Sequence, residues 1–309
     1  MGAPRSRNAE YAAPGRRTRR PLPSPAGGAT RHCATRIASA LLFGATLAVP
    51  GATAESSQSP QPASVDTIAR ETSDPTSNIW MVPTILGFTD TPSMPYRRSN
   101  QFSIEIQPSM PVSFDDRWRL LNFPSLTLTS QGTPTNGQAT GVESMSYLAA
   151  FSPKSTGGAF AWGLGPYVSF PVTTDRDLGV NQWQFGGGGM ARIKTKDHVA
   201  SVTVKAGWAT ARQRQQAGAL QIEYNFQRFL KDGWQVGLGR NSTIEYTWQR
   251  GSGGAWNVPV GLNVGKTTYL GKLPVKFMAQ YELMVVNANR WKPQHQVSLV
   301  VIPVLQNPP

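Results

Sequence analysis

Apolar and polar residues alternate along most of the chain after position 78. In the clearest segment, Phe102 and Ile104 lie on one face and Ser103 and Glu105 on the other. A period of two predicts β-strands that have one apolar and one polar face. Their length suits tilted strands that cross a membrane. The alternation recurs in about twelve segments, at 79–87, 100–114, 117–130, 142–152, 159–174, 182–196, 198–210, 217–230, 233–249, 255–270, 273–287 and 294–305.

The connections between these segments alternate in length. Short turns at 115–116 and 196–197 contrast with longer loops at 88–99, 131–141 and 175–181. Outer-membrane barrels have an even number of strands, short periplasmic turns and longer extracellular loops. We therefore predict an all-β fold, a transmembrane antiparallel up-and-down β-barrel of about twelve strands with its short turns in the periplasm.

The nine tryptophans all fall near the ends of predicted strands. Outer-membrane barrels carry aromatic girdles at the two bilayer interfaces, which require this placement. A soluble sandwich or a lipocalin-like barrel, the alternative fold, would place some tryptophans in the middle of strands.

Composition and charge narrow the class of protein further. Only 15% of the 309 residues are charged and 39% are hydrophobic, which fits neither a charge-rich disordered chain nor a helical membrane protein. The net charge is +13, and residues 1–54 contribute +7 of it through eight arginines and one acid, Glu10. A nucleic-acid-binding protein would carry its positive patch on the folded part, so we expect no nucleic-acid partner.

The first 54 residues predict an export signal. A basic arm precedes an apolar run at 37–49 and an Ala-Thr-Ala motif, which predicts cleavage between Ala54 and Glu55. An amphipathic core helix is the alternative for this run. We divide the chain into a basic arm with signal peptide at 1–54, a Pro/Ser-rich flexible periplasmic leader at 55–77 and the barrel at 78–309.

Cys33 is the only cysteine and precedes the predicted cleavage site. The predicted mature chain therefore has no disulfide, no cysteine-ligated zinc and no thiol nucleophile.

Several short motifs are shared in order and spacing with a known group of proteins. The chain resembles the outer-membrane β-barrel family labelled "MetA-pathway of phenol degradation" over roughly 78–305. The resemblance implies an outer-membrane barrel with a transport or channel role, and the label adds phenol-like solutes as candidates. At 301–309 the sequence lacks the terminal aromatic residue usual in barrels. The shared motifs are FSPK at 151–154, GGAFAWGLGP at 157–166, FPVTT at 170–174, DGWQVGL at 232–238, WNVPVGLNVGK at 256–266 and GKLPV at 271–275.

Motifs for enzymatic chemistry are weak. The segment 261–267 has three residues between its glycines where a phosphate loop needs four, and it lies within a predicted strand. His198 and His295, the two histidines after the signal, have no metal-ligand spacing. We therefore predict no metal, no cofactor and no enzymatic activity, and keep an outer-membrane hydrolase with a Ser-His pair as a minor alternative.

Eight charged residues lie out of phase with the apolar face and are predicted to line the lumen. A charge on the lipid face would cost about 2–4 kcal/mol at the membrane midplane, so an inward direction is favoured. These residues either line a solute path and set its charge selectivity, or pair across strands and close the lumen. The candidates are Glu105, Arg192, Lys194, Lys205, Glu223, Glu245, Lys276 and Glu282.

Together these features predict a monomeric outer-membrane barrel for passive passage of small solutes, with aromatic or hydrophobic ones among the candidates. Its expected partners are outer-membrane lipid, the barrel-assembly machinery and a small-molecule solute. The alternative is a non-conducting structural barrel, or one that binds a partner through the loops at 88–99, 131–141 and 175–181.

Overall fold

The structure is a computed structural model that describes residues 63–91, 99–132, 137–154, 158–175, 177–179, 181–210, 216–249, 252–287 and 294–305. The predicted signal peptide at 1–54, with its cleavage site between Ala54 and Glu55, lies outside the described residues. Within the described ranges, no helix is long and apolar enough to cross a membrane.

One short helix precedes a series of strands. The helix α1 is Val65–Glu71, and a single 3₁₀ turn occupies Lys231–Gly233. The strands are β1 Trp80–Met81, β2 Thr84–Thr91, β3 Ser99–Ile106, β4 Met110–Ser113, β5 Trp118–Gly132, β6 Gln138–Pro153, β7 Phe160–Phe170, β8 Gln184–Lys194, β9 His198–Ala209, β10 Gln216–Phe229, β11 Trp234–Gln249, β12 Ser252–Leu270, β13 Leu273–Asn287 and β14 His295–Leu305.

The strands close into a barrel of twelve. β1 and β2 form the first barrel strand, interrupted at Pro83, and β3 and β4 form the second, interrupted at Pro108. Proline has no N–H to donate to a sheet, which explains both interruptions. Every strand pairs antiparallel with its neighbours, and β14 pairs with β2 from Val301↔Thr84 to His295↔Asp90. The predicted fold class is confirmed.

The two ends of the barrel differ. Tight turns at 114–117, 195–197, 230–233 and 271–272 define what we call the turn end, where the longer connection between β6 and β7 also lies, and we call the opposite end the loop end. Asp232, Gly233 and Gly271 have positive φ angles of 59°, 74° and 63°, the left-handed conformation that such turns need and that glycine adopts without strain.

The barrel has its apolar face outside and its polar face inside. Phe102, Leu164 and Leu262 point outward and are 45%, 60% and 61% exposed, whereas Lys205 and Gln227 point inward and are 8% and 0% exposed. This inverted arrangement suits a hydrocarbon environment and follows directly from the alternation in the sequence.

Tryptophans form pairs near both ends. Trp118 and Trp162 meet edge to face at 6.2 Å at the turn end, and Trp208 stacks on Trp248 at 5.7 Å at the loop end. These positions match the predicted interfacial girdles.

The loop after β7 folds back over the inner side of the wall. The strand predicted to reach residue 174 ends at Phe170, because Pro171 cannot donate to a ladder. The Thr174 N–H donates to the Val142 carbonyl at 3.1 Å. A Cβ at Gly141 would lie 1.9 Å from Thr174 Oγ1, so this close approach requires glycine. Gly141 pairs with Thr129, whose side chain is buried inside the barrel.

A bulge interrupts the wall at β11. Pairing of β11 with β12 jumps from Leu238↔Leu262 to Glu245↔Asn257. Gly239 and Arg240 in this stretch have φ angles of 71° and 81°. The Tyr224 hydroxyl on β10 spans the interruption, donating to the Pro259 carbonyl at 3.0 Å and accepting from the Gly261 N–H at 3.3 Å. A side chain thus bonds two backbone groups that the bulge leaves without a β11 partner.

If the outward face contacts lipid, a charged residue on it should destabilise the barrel more at the membrane midplane than near the membrane surface. We expect Leu262→Arg, in the middle of β12, to destabilise the folded barrel by about 2–4 kcal/mol, and Leu270→Arg, at the turn end of the same strand, by about 0–1 kcal/mol. Urea titration in lipid vesicles, followed by heat-dependent gel mobility, measures both. Equal losses in the two variants would contradict a lipid-facing surface.

Candidate functional site

The segment before the first strand lies inside the barrel at the turn end. We call residues 63–77 the plug. Ser64 caps α1 by accepting a hydrogen bond from the Thr67 N–H at 3.2 Å. The buried face of the helix places Ala69 against Val199 and Phe229 of the barrel.

Backbone and neutral polar groups hold the plug at several points. Asp66 accepts from the Gly233 N–H at 2.6 Å, and Tyr269 donates to the Ala63 carbonyl at 2.6 Å. Asn225 Nδ2 donates to the Ser73 carbonyl at 2.9 Å. The structure therefore differs from the flexible leader predicted at 55–77, because its described part, 63–77, finds partners inside the barrel that composition alone does not show. Residues 55–62 lie outside the described residues.

Ion pairs add to these contacts at the C-terminal part of the plug. Arg192 Nε lies 3.0 Å from Asp74 Oδ2, and both side chains are buried. Lys194 Nζ lies 2.5 Å from a Glu71 carboxylate oxygen and 3.8 Å from Asp74. Arg119 donates to the Thr76 carbonyl at 2.5 Å. Three cations from two different parts of the wall thus converge on one short segment.

The environment of Glu71 changes its acidity. Burial by itself would raise the pKa of this carboxyl, but hydrogen bonds from Lys194 and Ser77 and the charges of Lys194 and Arg192 outweigh it. The net result is a pKa below the ordinary value of 4.5. The carboxylate therefore stabilises the docked plug in its charged form.

Three of the predicted lumen residues serve the plug. Arg192 and Lys194 form the ion pairs above, and Lys276 Nζ donates to Ser73 Oγ at 2.6 Å. Lys276 is completely buried. These residues hold a segment of the chain itself, and do not line an open path.

Two more predicted residues pair with each other across strands. Lys205 on β9 forms an ion pair with Glu223 on β10. Glu105 on β3 accepts a hydrogen bond from Ser125 at 2.9 Å. Of the two alternatives for the lumen charges, pairing across strands therefore holds for Lys205 and Glu223, while their side chains still line a cavity.

The last two predicted residues lie nearer the loop end. Glu282 accepts a hydrogen bond from Ser242 and lines a recess of about 470 Å³, a volume that includes space open to solvent. Glu245 lies opposite Gln221, which in turn lies opposite Lys205, so the register places Glu245 on the inward face.

The central cavity lies on the loop-end side of the plug. Its volume is about 740 Å³, including space open to solvent, and Ser73 and Pro75 of the plug form part of its lining. What we call the apolar wall consists of Met81, Pro83, Phe123, Leu148 and Met190, and the polar residues Gln107 and Ser109 lie beside Met81 and Pro83 in the same part of the lining. The polar wall consists of Ser201, Thr203, Lys205, Glu223, Asn225 and Arg240, and it adjoins the apolar wall where Met190 pairs with Thr203.

Sequence reasoning missed Arg119, Asp74 and Arg240 at this site. Asp74 belongs to a stretch that composition assigns to a leader, and Arg119 lies close to a turn. Arg240 lies at the bulge, where the alternation that identifies inward residues is broken. A break in the period is thus the one feature of the sequence that could have drawn attention to Arg240.

Neither histidine after the predicted signal contacts the plug, and His295 lines the same recess as Glu282. The His198 ring stacks on Phe226 at 5.7 Å, and His295 Nδ1 hydrogen-bonds the Tyr281 hydroxyl at 2.7 Å. Among the described residues, no three His, Cys, Asp or Glu side chains gather where they could hold a metal ion.

The buried ion pair predicts how firmly the plug is docked. Removing one partner of a buried pair costs about 3–5 kcal/mol, so Asp74→Asn should increase trypsin cleavage after Arg70 by at least about a hundredfold. Asp115→Asn, in an exposed turn, is the matched control and should leave the rate unchanged. Equal cleavage of the Asp74 variant and the wild type would show that this pair does not hold the plug.

The lowered pKa of Glu71 predicts a loss of plug stability in acid. The contribution of this carboxylate is complete above its ordinary pKa of 4.5 and declines as the pH falls through its lower folded-state value. Hydrogen exchange of residues 63–77, corrected for intrinsic rates, should therefore show less protection at acidic than at neutral pH. In Glu71→Gln this dependence should be smaller, and an unchanged dependence would contradict the assignment.

Comparison with known proteins adds information on the fold. No family model matches the chain, and no curated protein matches it in sequence. An outer-membrane channel from Pseudomonas putida F1 is similar in structure, with 13% identity, 74% of this chain and 94% of that chain covered, and a TM-score of 0.58.

Two further structures are less similar. OmpT, an outer-membrane protein of Vibrio cholerae, has 10% identity, coverage of 74% and 96%, and a TM-score of 0.38. The KdgM porin has 10% identity, coverage of 74% and 99%, and a TM-score of 0.37. With TM-scores this low, neither structure supports a conclusion about this chain. The likeness to the Pseudomonas putida channel shows that this chain has the fold of an outer-membrane β-barrel.

Proposed function

We propose that the chain forms a channel for small solutes in the outer membrane and that the plug controls passage through its lumen. The observation that carries the proposal is the cavity of about 740 Å³, which lies inside a lipid-facing barrel and is lined in part by the plug. Its lining combines apolar side chains with a few polar and charged ones, as the lining of sites for small molecules does.

The contacts of the plug favour a removable barrier. Its docking relies on hydrogen bonds and ion pairs, such as Asp74 with Arg192, and on a small apolar contact of Ala69 with Val199 and Phe229. Water can replace polar contacts one by one, whereas a large apolar core would have to be exposed as a whole. Release of the plug therefore exposes little apolar surface of the barrel wall.

The two walls of the cavity indicate the class of solute. Phe123, Leu148 and Met190 offer an apolar surface, and Lys205 and Arg240 lie on the polar side. A molecule with an aromatic or aliphatic body and one polar group would satisfy both walls. This agrees with the aromatic or hydrophobic solutes that the family resemblance implies.

The arrangement of one loop bears on the alternative of a loop-binding barrel. Thr173 Oγ1 donates to the Glu143 carbonyl at 2.9 Å, and Gln131 Nε2 donates to the Asp177 carbonyl at 2.5 Å. These contacts attach the loop that contains 175–181 to its own barrel, which leaves less of it available to an outside partner. The channel is therefore the function that we favour.

Planar-bilayer conductance tests the proposal. The chain from Glu55 and a shortened chain from Asn78, which lacks the plug, are refolded, and each is checked for a heat-dependent shift in gel mobility. We expect the shortened barrel to give larger and longer-lived conductance steps than the chain with its plug. A folded barrel from Asn78 that conducts no ions would overturn the channel and favour a non-conducting barrel.

A charge reversal tests whether the cavity lies on the path. Lys205→Glu should shift the ion selectivity of the conducting barrel towards cations, because Lys205 lines the cavity. Lys272→Glu, in an exposed turn, is the matched control and should leave selectivity unchanged. Identical selectivity of the two variants would place Lys205 off the path.

A further inference from the structure

Arg240 occupies an unusual backbone position inside the barrel. It lies in the bulge of β11 with a φ angle of 81°, and its side chain lines the central cavity. A positive φ is unfavourable for a residue with a Cβ, and such positions are concentrated at functional sites. The bulge re-aims this side chain, as bulges in sheets commonly do.

Arg240 also forms no ion pair of its own. Among the described residues that line the cavity Glu223 is the one carboxylate, and although its charge acts on Arg240 it forms its ion pair with Lys205. Within the described part of the chain, the Arg240 guanidinium makes no hydrogen bond or ion pair. The planar guanidinium therefore keeps its donors available for a ligand.

A buried lysine lies behind the cavity. Lys276 is completely buried, and its amine donates to the neutral hydroxyl of Ser73. A positive charge on Lys276 and the charge of Arg240 repel each other, so an anion bound at Arg240 would relieve that repulsion. Glu105 and Glu223 both act on the charge of Lys205.

The apolar wall sets the rest of the ligand. Phe123, Leu148 and Met190 are apolar side chains that line the same cavity as the charged groups. A carboxylate matches the fork of a guanidinium through two parallel hydrogen bonds, and an apolar body fits the apolar wall. A neutral hydrocarbon would leave Arg240 unsatisfied.

We propose that the central cavity binds small amphipathic carboxylates, with Arg240 as the residue that binds the carboxylate and the apolar wall as the surface for the body of the molecule. This inference names the solute class and rests on the proposed function of the barrel as a channel. Arg240 is then a specificity-determining residue for anionic over neutral solutes.

Binding of benzoate to the refolded chain from Glu55 tests the inference. Ligand-observed NMR with empty micelles as the blank gives the affinity for benzoate and for two probes of similar shape, benzyl alcohol and benzylammonium. We expect benzoate to bind at least about tenfold more tightly than either, since a hydrogen bond to a charged group contributes about that factor.

Substitutions of Arg240 measure how much its guanidinium contributes to benzoate binding. Arg240→Asn removes the charge with a residue that tolerates a positive φ, and it should weaken benzoate binding by about tenfold while leaving benzyl alcohol unchanged. Arg240→Lys keeps the positive charge but lacks the two parallel N–H donors of a guanidinium. Its affinity for benzoate should lie between that of the wild type and that of Arg240→Asn. Arg228→Asn changes an exposed residue on β10 near the turn end. It is the matched control and should bind benzoate like the wild type.

Two outcomes would overturn the inference. One is equal benzoate affinity in the wild type and in a folded Arg240→Asn barrel. The other is a wild-type barrel that binds benzyl alcohol or benzylammonium as tightly as benzoate, a comparison that needs no variant to fold. Conductance of the barrel from Asn78 in potassium chloride reports on the channel separately, so loss of carboxylate preference with intact conductance would affect this inference alone.

Discussion

The whole structure depends on the closure of one sheet. In hydrocarbon no water is available to backbone N–H and C=O groups, so each of them must find a partner within the protein. The pairing of β14 with β2 removes the two free edges and makes a membrane-facing sheet possible. Closure also divides the side chains into an outer set in contact with lipid and an inner set that must be satisfied by protein or water. The bulge in β11 is an exception to regular pairing, and the Tyr224 hydroxyl supplies hydrogen bonds there.

The fold was predictable because its evidence is local. A period of two appears within a single segment, so residues such as Phe102 and Glu105 reveal their faces without knowledge of any other strand. Prolines explain where the prediction was inaccurate, since Pro171 ends a strand that the alternation extended to 174. The plug could not be predicted in this way. Its sequence is polar and its partners are distant along the chain, as with Asp74 and Arg192, so only the three-dimensional structure brings them together.

The lumen residues also show how far prediction from the sequence reaches. Phase predicts which side chains point inward, but it does not give their height along the barrel axis or their partners. Lys276 and Lys205 are indistinguishable in the sequence, each a lysine in phase with the polar face. In the structure one donates to the plug and the other pairs with Glu223 beside the cavity. Arg240 was missed for the opposite reason, because the bulge that brings it into the cavity destroys the phase on which the prediction relies.

The way in which the plug joins the barrel has a mechanical consequence. Two residues, Asn78 and Ile79, separate the plug from β1, and β1 itself consists of Trp80 and Met81 paired with Leu305 and Val304. A force that pulls the N-terminal part of the chain away from the turn end would load this short pairing before it reaches any longer strand. On its other side β1 is bonded to the second barrel strand through Met81 and Ser109, so withdrawal of the plug would pull on the closure of the barrel and on its second strand at the same point.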